Sequence, residues 1–158
     1  MVGRPLPPQK LAPYAEVKQA SNIRLLTGEN LFLVHGVLPL LESRAVDFMA
    51  TDIQKCGGVG EAKRIADICD RYGVTMAPHN VAGPLGLMTA AHVCAATANF
   101  AALEFHGQDV PFWDDLILEG PIIENGRVRV SERPGIGVTL NEPVAREYAK
   151  PGESWFRE

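Results

Sequence analysis

The chain alternates short apolar runs with segments whose apolar residues recur at helical spacing. The clearest case extends over residues 46–77. There, a run over 46–51 that is apolar after Asp47 and an apolar run over 74–77 flank an amphipathic segment over about 60–72. Short apolar runs are typical of strands buried on both faces, and the periodicity between them is typical of a surface helix. This stretch therefore predicts two parallel strands joined by a helix, with both strands ending at the same edge of a sheet.

The same alternation continues on both sides of this unit. We predict further strands over 23–26 and 100–103, and helices over 11–19, 31–43 and 85–98. Gly36 and Pro39 are expected to break the first part of the helix over 31–43, because proline lacks the amide that a helix interior needs. The segment over 85–98 contains no Asp, Glu, Lys or Arg, which predicts a helix buried against the sheet. These elements together predict an α/β fold.

After the last predicted strand the alternation stops. The segment over 106–118 is irregular and aromatic, Asn125-Gly126 predicts the turn of a hairpin, and residues 143–150 predict a final short helix. We therefore divide the chain into a strand-and-helix unit over 1–108 and an irregular extension over 109–158.

Four predicted strand ends carry an ionisable residue, namely Glu29, Asp52, His79 and Glu104. Subtracting their numbers gives separations of 23, 27 and 25 residues, close to the roughly 30 residues that a (β/α)8 barrel spends on each strand and helix. The sequence therefore predicts a partial (β/α)8 barrel of four successive units, each presenting one acid or base at the catalytic rim. A doubly wound sheet is the alternative, although the chain has no GxGxxG or phosphate-binding loop.

Composition and charge narrow the classes of function. Of the 158 residues, 46% are hydrophobic and 22% are charged, which is typical of a globular protein. The net charge is −4 and the basic residues are scattered, so we expect neither nucleic acid nor a membrane as a partner. No C-x-x-C pair occurs among the three cysteines, and Cys69 and Cys94 fall in predicted helices, so both are expected to be reduced core thiols. No apolar run resembles a signal peptide or a membrane span, so we expect a cytoplasmic protein.

Six short motifs occur in a fixed order along the chain. They are PLPP near the start, TGE at 27–29, TDIQKCGGVGEAKRIADIC at 51–69, APHN at 77–80, NFAALEFH at 99–106 and PGIGVTLNE at 134–142. The set resembles the enolase superfamily, specifically the mandelate racemase and muconate lactonizing enzyme group with its sugar-acid dehydratases. The resemblance covers nearly the whole chain but only the C-terminal part of a family member, which implies the last four units of the barrel.

The resemblance implies a Mg²⁺-dependent dehydratase of the galactonate type that acts on a small acid sugar. In this superfamily a base removes the proton alpha to a carboxylate, and Mg²⁺ stabilises the enediolate that forms. By position, Glu29 matches a metal ligand, Asp52 and His79 match an acid–histidine dyad, and Glu104 matches the acid that hydrogen-bonds the substrate carboxylate. A histidine suits proton abstraction because imidazole titrates near neutral pH.

The chain also departs from the family pattern. The family has basic residues on the second strand and acidic metal ligands on the third and fourth. The chain begins too late for the second and third strands, and near the fourth, where relatives read Glu-Glu-Pro, it has Gly3-Arg4-Pro5. One of three metal ligands is therefore present, and the N-terminal capping domain is missing. We expect a fragment that is inactive alone. It would form a homo-oligomer or depend on a missing N-terminal part, with its extension packed on the barrel or on a missing capping domain.

Other functions remain open at this stage. A racemase or cycloisomerase of the same superfamily would use the same proton abstraction. A non-catalytic half barrel would need another chain to cover its open sheet edges. A metal-dependent sugar isomerase would use all four strand-end residues as ligands.

Structural explanations of single residues also remain open. His79 would in that case be a solvated loop residue, Asp52 would only cap the turn that follows it, and Glu29 would be an exposed acid. His92 is expected to be a satisfied core histidine, and Trp113 is expected to pack the extension onto the barrel.

Overall fold

Short parallel strands alternate with helices over the first two thirds of the chain. The computed structural model describes residues 2–3, 11–106 and 110–152; the predicted PLPP loop, with Arg4 and Pro5, lies outside these ranges. The elements of this part are β1 (Val2–Gly3), α1 (Leu11–Ala20), β2 (Leu25–Thr27), α2 (Leu33–Glu42), β3 (Phe48–Met49), α3 (Val59–Arg71), β4 (Thr75–Met76) and α4 (Pro84–Ala95). The fold is therefore mixed α/β, as the periodicity predicts.

The sheet has the order β1-β2-β3-β4, and every neighbouring pair is parallel. The predicted strand over 100–103 lies beside β4, but it is reduced to a single parallel bridge between Met76 and Phe100. The hydrogen bonds that its amides donate explain why a longer strand does not form. Ala101 donates to the carbonyl of Met76 and Glu104 donates to that of Pro78. The donors are thus three residues apart and the acceptors two, so a regular ladder does not form.

The core lies between the sheet and the helices. The buried positions of α2 and α3 are spaced at helical period and are Val37, Leu40, Leu41, Ala62, Ile65, Ala66 and Cys69. Most of α4 is buried as well, as its lack of charge predicts. All three cysteines are buried and free; burial raises the pKa of Cys56 to about 11 and those of Cys69 and Cys94 to about 12. The prediction of reduced core thiols is thus confirmed for Cys69 and Cys94.

The predicted break at Gly36 and Pro39 is wrong, because α2 runs through both residues. A proline inside a helix costs about 3 kcal/mol through its missing N–H and its steric clash. Leu40 and Leu41, which follow it, are 0% and 1% exposed. Burial of a leucine contributes about 1.5–3 kcal/mol, so the two together offset the cost of the proline.

The extension folds around a short hairpin. Strands β5 (Ile123–Glu124) and β6 (Arg127–Val128) pair antiparallel across Asn125 and Gly126, which both have the positive φ that a type I′ turn requires. A 3₁₀ turn (Asp114–Leu116) precedes the hairpin and helix α5 (Glu142–Glu147) follows it. The predicted hairpin and final helix are both confirmed.

Aromatic and polar contacts join the extension to the rest of the chain. The ring of Trp113 is buried edge-on against Phe105, with 5.6 Å between the centroids. His92, which is half-buried, contacts the carbonyl of Ile136 through Nε2 at 3.1 Å, so its ring has a partner as expected. None of the helices in the described ranges is long and apolar enough to cross a membrane.

We predict that Gly28→Ala destabilises the protein. Gly28 has a φ of 132°, and a Cβ there would lie 2.4 Å from the sulfur of Met49, which is itself 0% exposed. The backbone strain alone amounts to about 1–3 kcal/mol. Urea unfolding of the variant should show a loss of at least this size. The matched control is Gly36→Ala in α2, where nothing lies within 4 Å and alanine should stabilise by about 0.5–1 kcal/mol.

The hydrogen bonds of the Asp47 carboxylate should stabilise the fold in a pH-dependent way. Its carboxylate accepts hydrogen bonds from Lys18 Nζ at 2.5 and 2.6 Å and from the Leu25 amide at 2.9 Å. Burial opposes ionisation, but these bonds outweigh it and hold the pKa below its ordinary value of 3.8. The stabilisation is therefore complete above the unfolded-state pKa and is lost as the pH falls through the folded-state value.

We accordingly expect Asp47→Asn to lower the free energy of unfolding by about 1 kcal/mol at pH 7. The difference in the free energy of unfolding between the variant and the original protein should shrink below about pH 4, near the pKa of an unperturbed Asp. Urea titrations across this range measure it. Glu16→Gln on the exposed side of α1 is the control and should change little at either pH. An equal loss for Asp47→Asn at both pH values would contradict the assignment.

Candidate active site

Asp52 and His79 lie side by side at the carboxyl edge of the sheet. Met49 and Met76 are paired in the register of β3 and β4, and each functional residue stands three positions beyond its methionine. The two side chains therefore emerge level with each other. Oδ2 of Asp52 lies 2.8 Å from Nδ1 of His79, and both residues are buried, at 4% and 5% exposure. The interpretation of His79 as a solvated loop residue is thereby excluded.

The two oxygens of Asp52 have different partners. Oδ1 accepts a hydrogen bond from the Gln54 amide at 2.9 Å, which caps the turn after β3. Oδ2 contacts His79 and also lies 3.3 Å from Nζ of Lys55. The capping role that the sequence left as an alternative is therefore real, and it coexists with the contact to His79. Because both oxygens are engaged, the carboxylate is held in one orientation.

Two more carboxylates approach the opposite nitrogen of the imidazole. Nε2 of His79 lies 3.3 Å from Oε2 of Glu29 and 3.8 Å from Oε2 of Glu104. The side chain of Glu29 is 11% exposed and that of Glu104 is 44% exposed. The backbone amide of Asn80 donates to Glu104 at 3.4 Å. All four strand-end residues singled out in the sequence are thus brought together, and Glu29 is not the exposed acid of the alternative interpretation.

This arrangement has a clear chemical capacity. An ionised carboxylate only accepts hydrogen bonds, so Asp52 fixes the neutral imidazole with its proton on Nδ1 and leaves Nε2 with a free lone pair. Nε2 is directed toward the carboxylates of Glu29 and Glu104.

The donor chemistry around Glu29 bears on a metal. A carboxylate oxygen suits Mg²⁺, which takes oxygen ligands and commonly uses one or two protein carboxylates. In residues 2–3, 11–106 and 110–152, however, no group of three or more His, Cys, Asp or Glu side chains is arranged to hold a metal ion. Glu29 is therefore suited to be one ligand, and the described residues do not make a complete magnesium site.

Sequence reasoning overlooked two polar groups next to the dyad. The amide nitrogen Nδ2 of Asn80 and the hydroxyl of Thr51 are buried without a hydrogen-bond partner. Such orphaned groups are rare in folded proteins and cost free energy. Asn80 directly follows His79 in the APHN motif and Thr51 directly precedes Asp52, so adjacency to an acid or base at a strand end was the available signal.

The geometry agrees with a comparison to known protein families. The profile described as enolase C-terminal domain-like matches residues 3–144. The chain belongs to the enolase C-terminal domain-like family. The resemblance indicated by the ordered motifs is therefore confirmed.

Individual members of this family extend the comparison. The mandelate racemase/muconate lactonizing enzyme-like protein of Rubrobacter xylanophilus has a TM-score of 0.90 and 41% identity, covering 94% of this chain and 38% of its own. The D-xylonate dehydratase of Haloferax volcanii is 38% identical over 154 residues, covering 98% of this chain and 37% of the relative. The D-galactarolactone cycloisomerase of Agrobacterium fabrum is 28% identical over 155 residues, covering 93% of this chain and 41% of the relative. The chain thus spans about two fifths of the length of these curated relatives.

We predict that Asp52→Asn reverses the tautomer of neutral His79. An asparagine keeps an oxygen for the Gln54 amide but presents an N–H to Nδ1 in place of a carboxylate oxygen. His79 should therefore carry its proton on Nδ1 in the original protein and on Nε2 in the variant. Nitrogen-15 NMR of histidine-labelled protein distinguishes the two forms.

His92 is the internal control for this measurement. Its Nε2 contacts the carbonyl oxygen of Ile136 and must donate, so its tautomer should be the same in both proteins. The signals of His79 are identified as those that are missing from the spectrum of His79→Asn. An unchanged His79 tautomer in Asp52→Asn would show that the 2.8 Å contact does not govern the ring.

Proposed function

We propose that the chain supplies the C-terminal part of the active site of a Mg²⁺-dependent sugar-acid dehydratase, which removes the proton alpha to a carboxylate. The observation that carries the proposal is the buried imidazole of His79, which contacts Asp52 through Nδ1 and directs Nε2 toward Glu29 and Glu104. The similarity to the D-xylonate dehydratase of Haloferax volcanii supports an acid sugar as the substrate class.

Each residue has a separate role in this proposal. Nε2 of His79 takes the alpha proton, and Asp52 stabilises the imidazolium that results. Glu104 is the most exposed of the three carboxyl groups and contacts the substrate carboxylate. Glu29 is deeper and serves as one ligand of Mg²⁺, which when bound supplies positive charge to the developing enediolate. The remaining ligands come from residues outside this set.

We further propose that the parallel sheet is part of a (β/α)8 barrel, with residues 1–108 in the barrel and 109–158 as the extension. Phe100 and Phe105 lie on the last edge of the sheet and are 38% and 43% exposed. They line a groove of about 620 Å³ whose walls are mainly apolar. The hairpin of the extension lines the same groove, so the support for further strands is the sheet edge itself, because an open edge favours pairing. The complementary strands would come from an N-terminal part or from a second copy of the chain.

A cycloisomerase is the second candidate, because the D-galactarolactone cycloisomerase of Agrobacterium fabrum is also similar. It would begin with the same proton abstraction by His79, and only the fate of the enediolate would differ. A sugar isomerase with four metal ligands is disfavoured. Asp52 and Nδ1 of His79 face each other directly at 2.8 Å, and the described residues hold no group of three or more His, Cys, Asp or Glu side chains arranged around a metal ion.

The test of the base uses the chain joined to the N-terminal part of the Haloferax volcanii relative. Exchange of the alpha proton of D-xylonate, D-gluconate and D-galactonate in D₂O is followed by proton NMR. We expect His79→Asn to reduce exchange by at least about 10²–10⁴-fold, the usual contribution of a general base, while Mg²⁺ affinity stays nearly unchanged. His35→Asn, an exposed histidine on α2, is the matched control and should exchange normally.

Other outcomes separate the alternatives. Exchange retained in His79→Asn would remove this residue from the role of base. Isomerisation of D-galactarolactone without loss of water, with no dehydration of the free acids, would favour the cycloisomerase. Calorimetric titration with Mg²⁺ should show binding by the joined protein, weakened by Glu29→Gln, and none by the 158-residue chain alone. Absence of both exchange and Mg²⁺ binding in a folded joined protein would favour a non-catalytic half barrel.

A further inference from the structure

A second polar cleft lies at the end of the sheet opposite His79. It has a volume of about 580 Å³ and is lined by Arg24, Arg44 and Arg71 among others. Arg24 directly precedes β2, Arg44 follows α2, and Arg71 is the last residue of α3. Because the strands are parallel, these connections gather at their amino ends, far from the residues that follow the carboxyl ends.

The walls of this cleft offset only part of its positive charge, through the interaction of Arg24 with Asp47. Among the described residues, Asp47 is the one carboxylate that lines it, and the oxygens of Asp47 already accept bonds from Lys18 and the Leu25 amide. Arg44 and Arg71 form no ion pair with any described residue. Three arginines thus line one cleft of a chain whose net charge is −4.

Neighbouring groups add hydrogen-bond donors to these charges. Tyr72 and Thr75, each of which carries a hydroxyl group, line the same cleft. Arg24 lies over the ring of Phe48, 5.8 Å from its centroid, a cation–π contact that limits the freedom of the guanidinium. Arg44 has a φ of 52°, a conformation that glycine or asparagine adopts at lower cost. An arginine there is consistent with a use for its side chain.

We propose that this cleft binds a small oxyanion with two or more negative charges, either a phosphoryl group or paired carboxylates. Guanidinium groups present planar pairs of N–H donors that match the oxygens of both classes. The volume of the cleft falls within the range usual for small-molecule sites. The site is separate from the proposed dehydratase chemistry and does not depend on it.

Isothermal titration calorimetry of the 158-residue chain tests the proposal, with inorganic pyrophosphate and citrate as probes and chloride at matched ionic strength as the blank. We expect saturable binding at one site.

Arg44→Gln and Arg71→Gln should each weaken this binding about tenfold, the effect of one charge-assisted hydrogen bond. Arg64→Gln is the matched control, because Arg64 lies on α3, is exposed, pairs with Glu61 and does not line the cleft. It should change affinity less than about twofold. Circular dichroism verifies that each variant is folded.

Every outcome bears on the proposal. Binding of pyrophosphate alone identifies a phosphoryl site, binding of citrate alone identifies a carboxylate site, and binding of both supports a general oxyanion site. Lack of saturable binding up to about 10 mM would overturn the proposal. Equal weakening by Arg64→Gln and by the lining variants would overturn it too, as would a glutamate-rich peptide that binds more tightly than either probe.

Discussion

The parallel pairing of β3 with β4 is the constraint on which the candidate site depends. Each strand has only two residues in regular pairing, yet their register places Asp52 level with His79. A slip of one residue would turn one of the two side chains away from the other. The buried helix faces of α2 and α3 hold this register from behind, because their apolar side chains fill the core against the sheet. Packing that is distant from the candidate site therefore sets its geometry.

The site concentrates buried charge, which the fold tolerates only through specific partners. Asp52 is held by the Gln54 amide, by the imidazole and by Lys55, so a carboxylate that is 4% exposed still has its oxygens satisfied. Glu29 and Glu104 both approach the opposite nitrogen of His79, Nε2, at the greater distances of 3.3 and 3.8 Å. This unequal division makes the ring asymmetric, with one nitrogen anchored and the other available. Such asymmetry is what proton abstraction by histidine requires.

The two ends of the sheet differ in the sign of their charge. The carboxyl edge gathers three acids around His79, whereas the amino edge gathers three arginines around Asp47. The topology alone explains why both clusters form, since parallel strands bring every connection of one kind to the same edge. In an antiparallel sheet the same residues would be distributed over both edges.

The sequence by itself determined the α/β fold class, the amphipathic face of α3, the hairpin at Asn125-Gly126 and the identity of the strand-end residues. These features depend on local periodicity and turn chemistry, which a single stretch of chain carries in full. Only the tertiary structure decided that α2 continues through Pro39 and that the segment after residue 100 pairs through one bridge. It also decided that Asp52 caps a turn while it holds His79. Such outcomes depend on contacts between residues far apart in the chain, whose packing energies exceed local preferences.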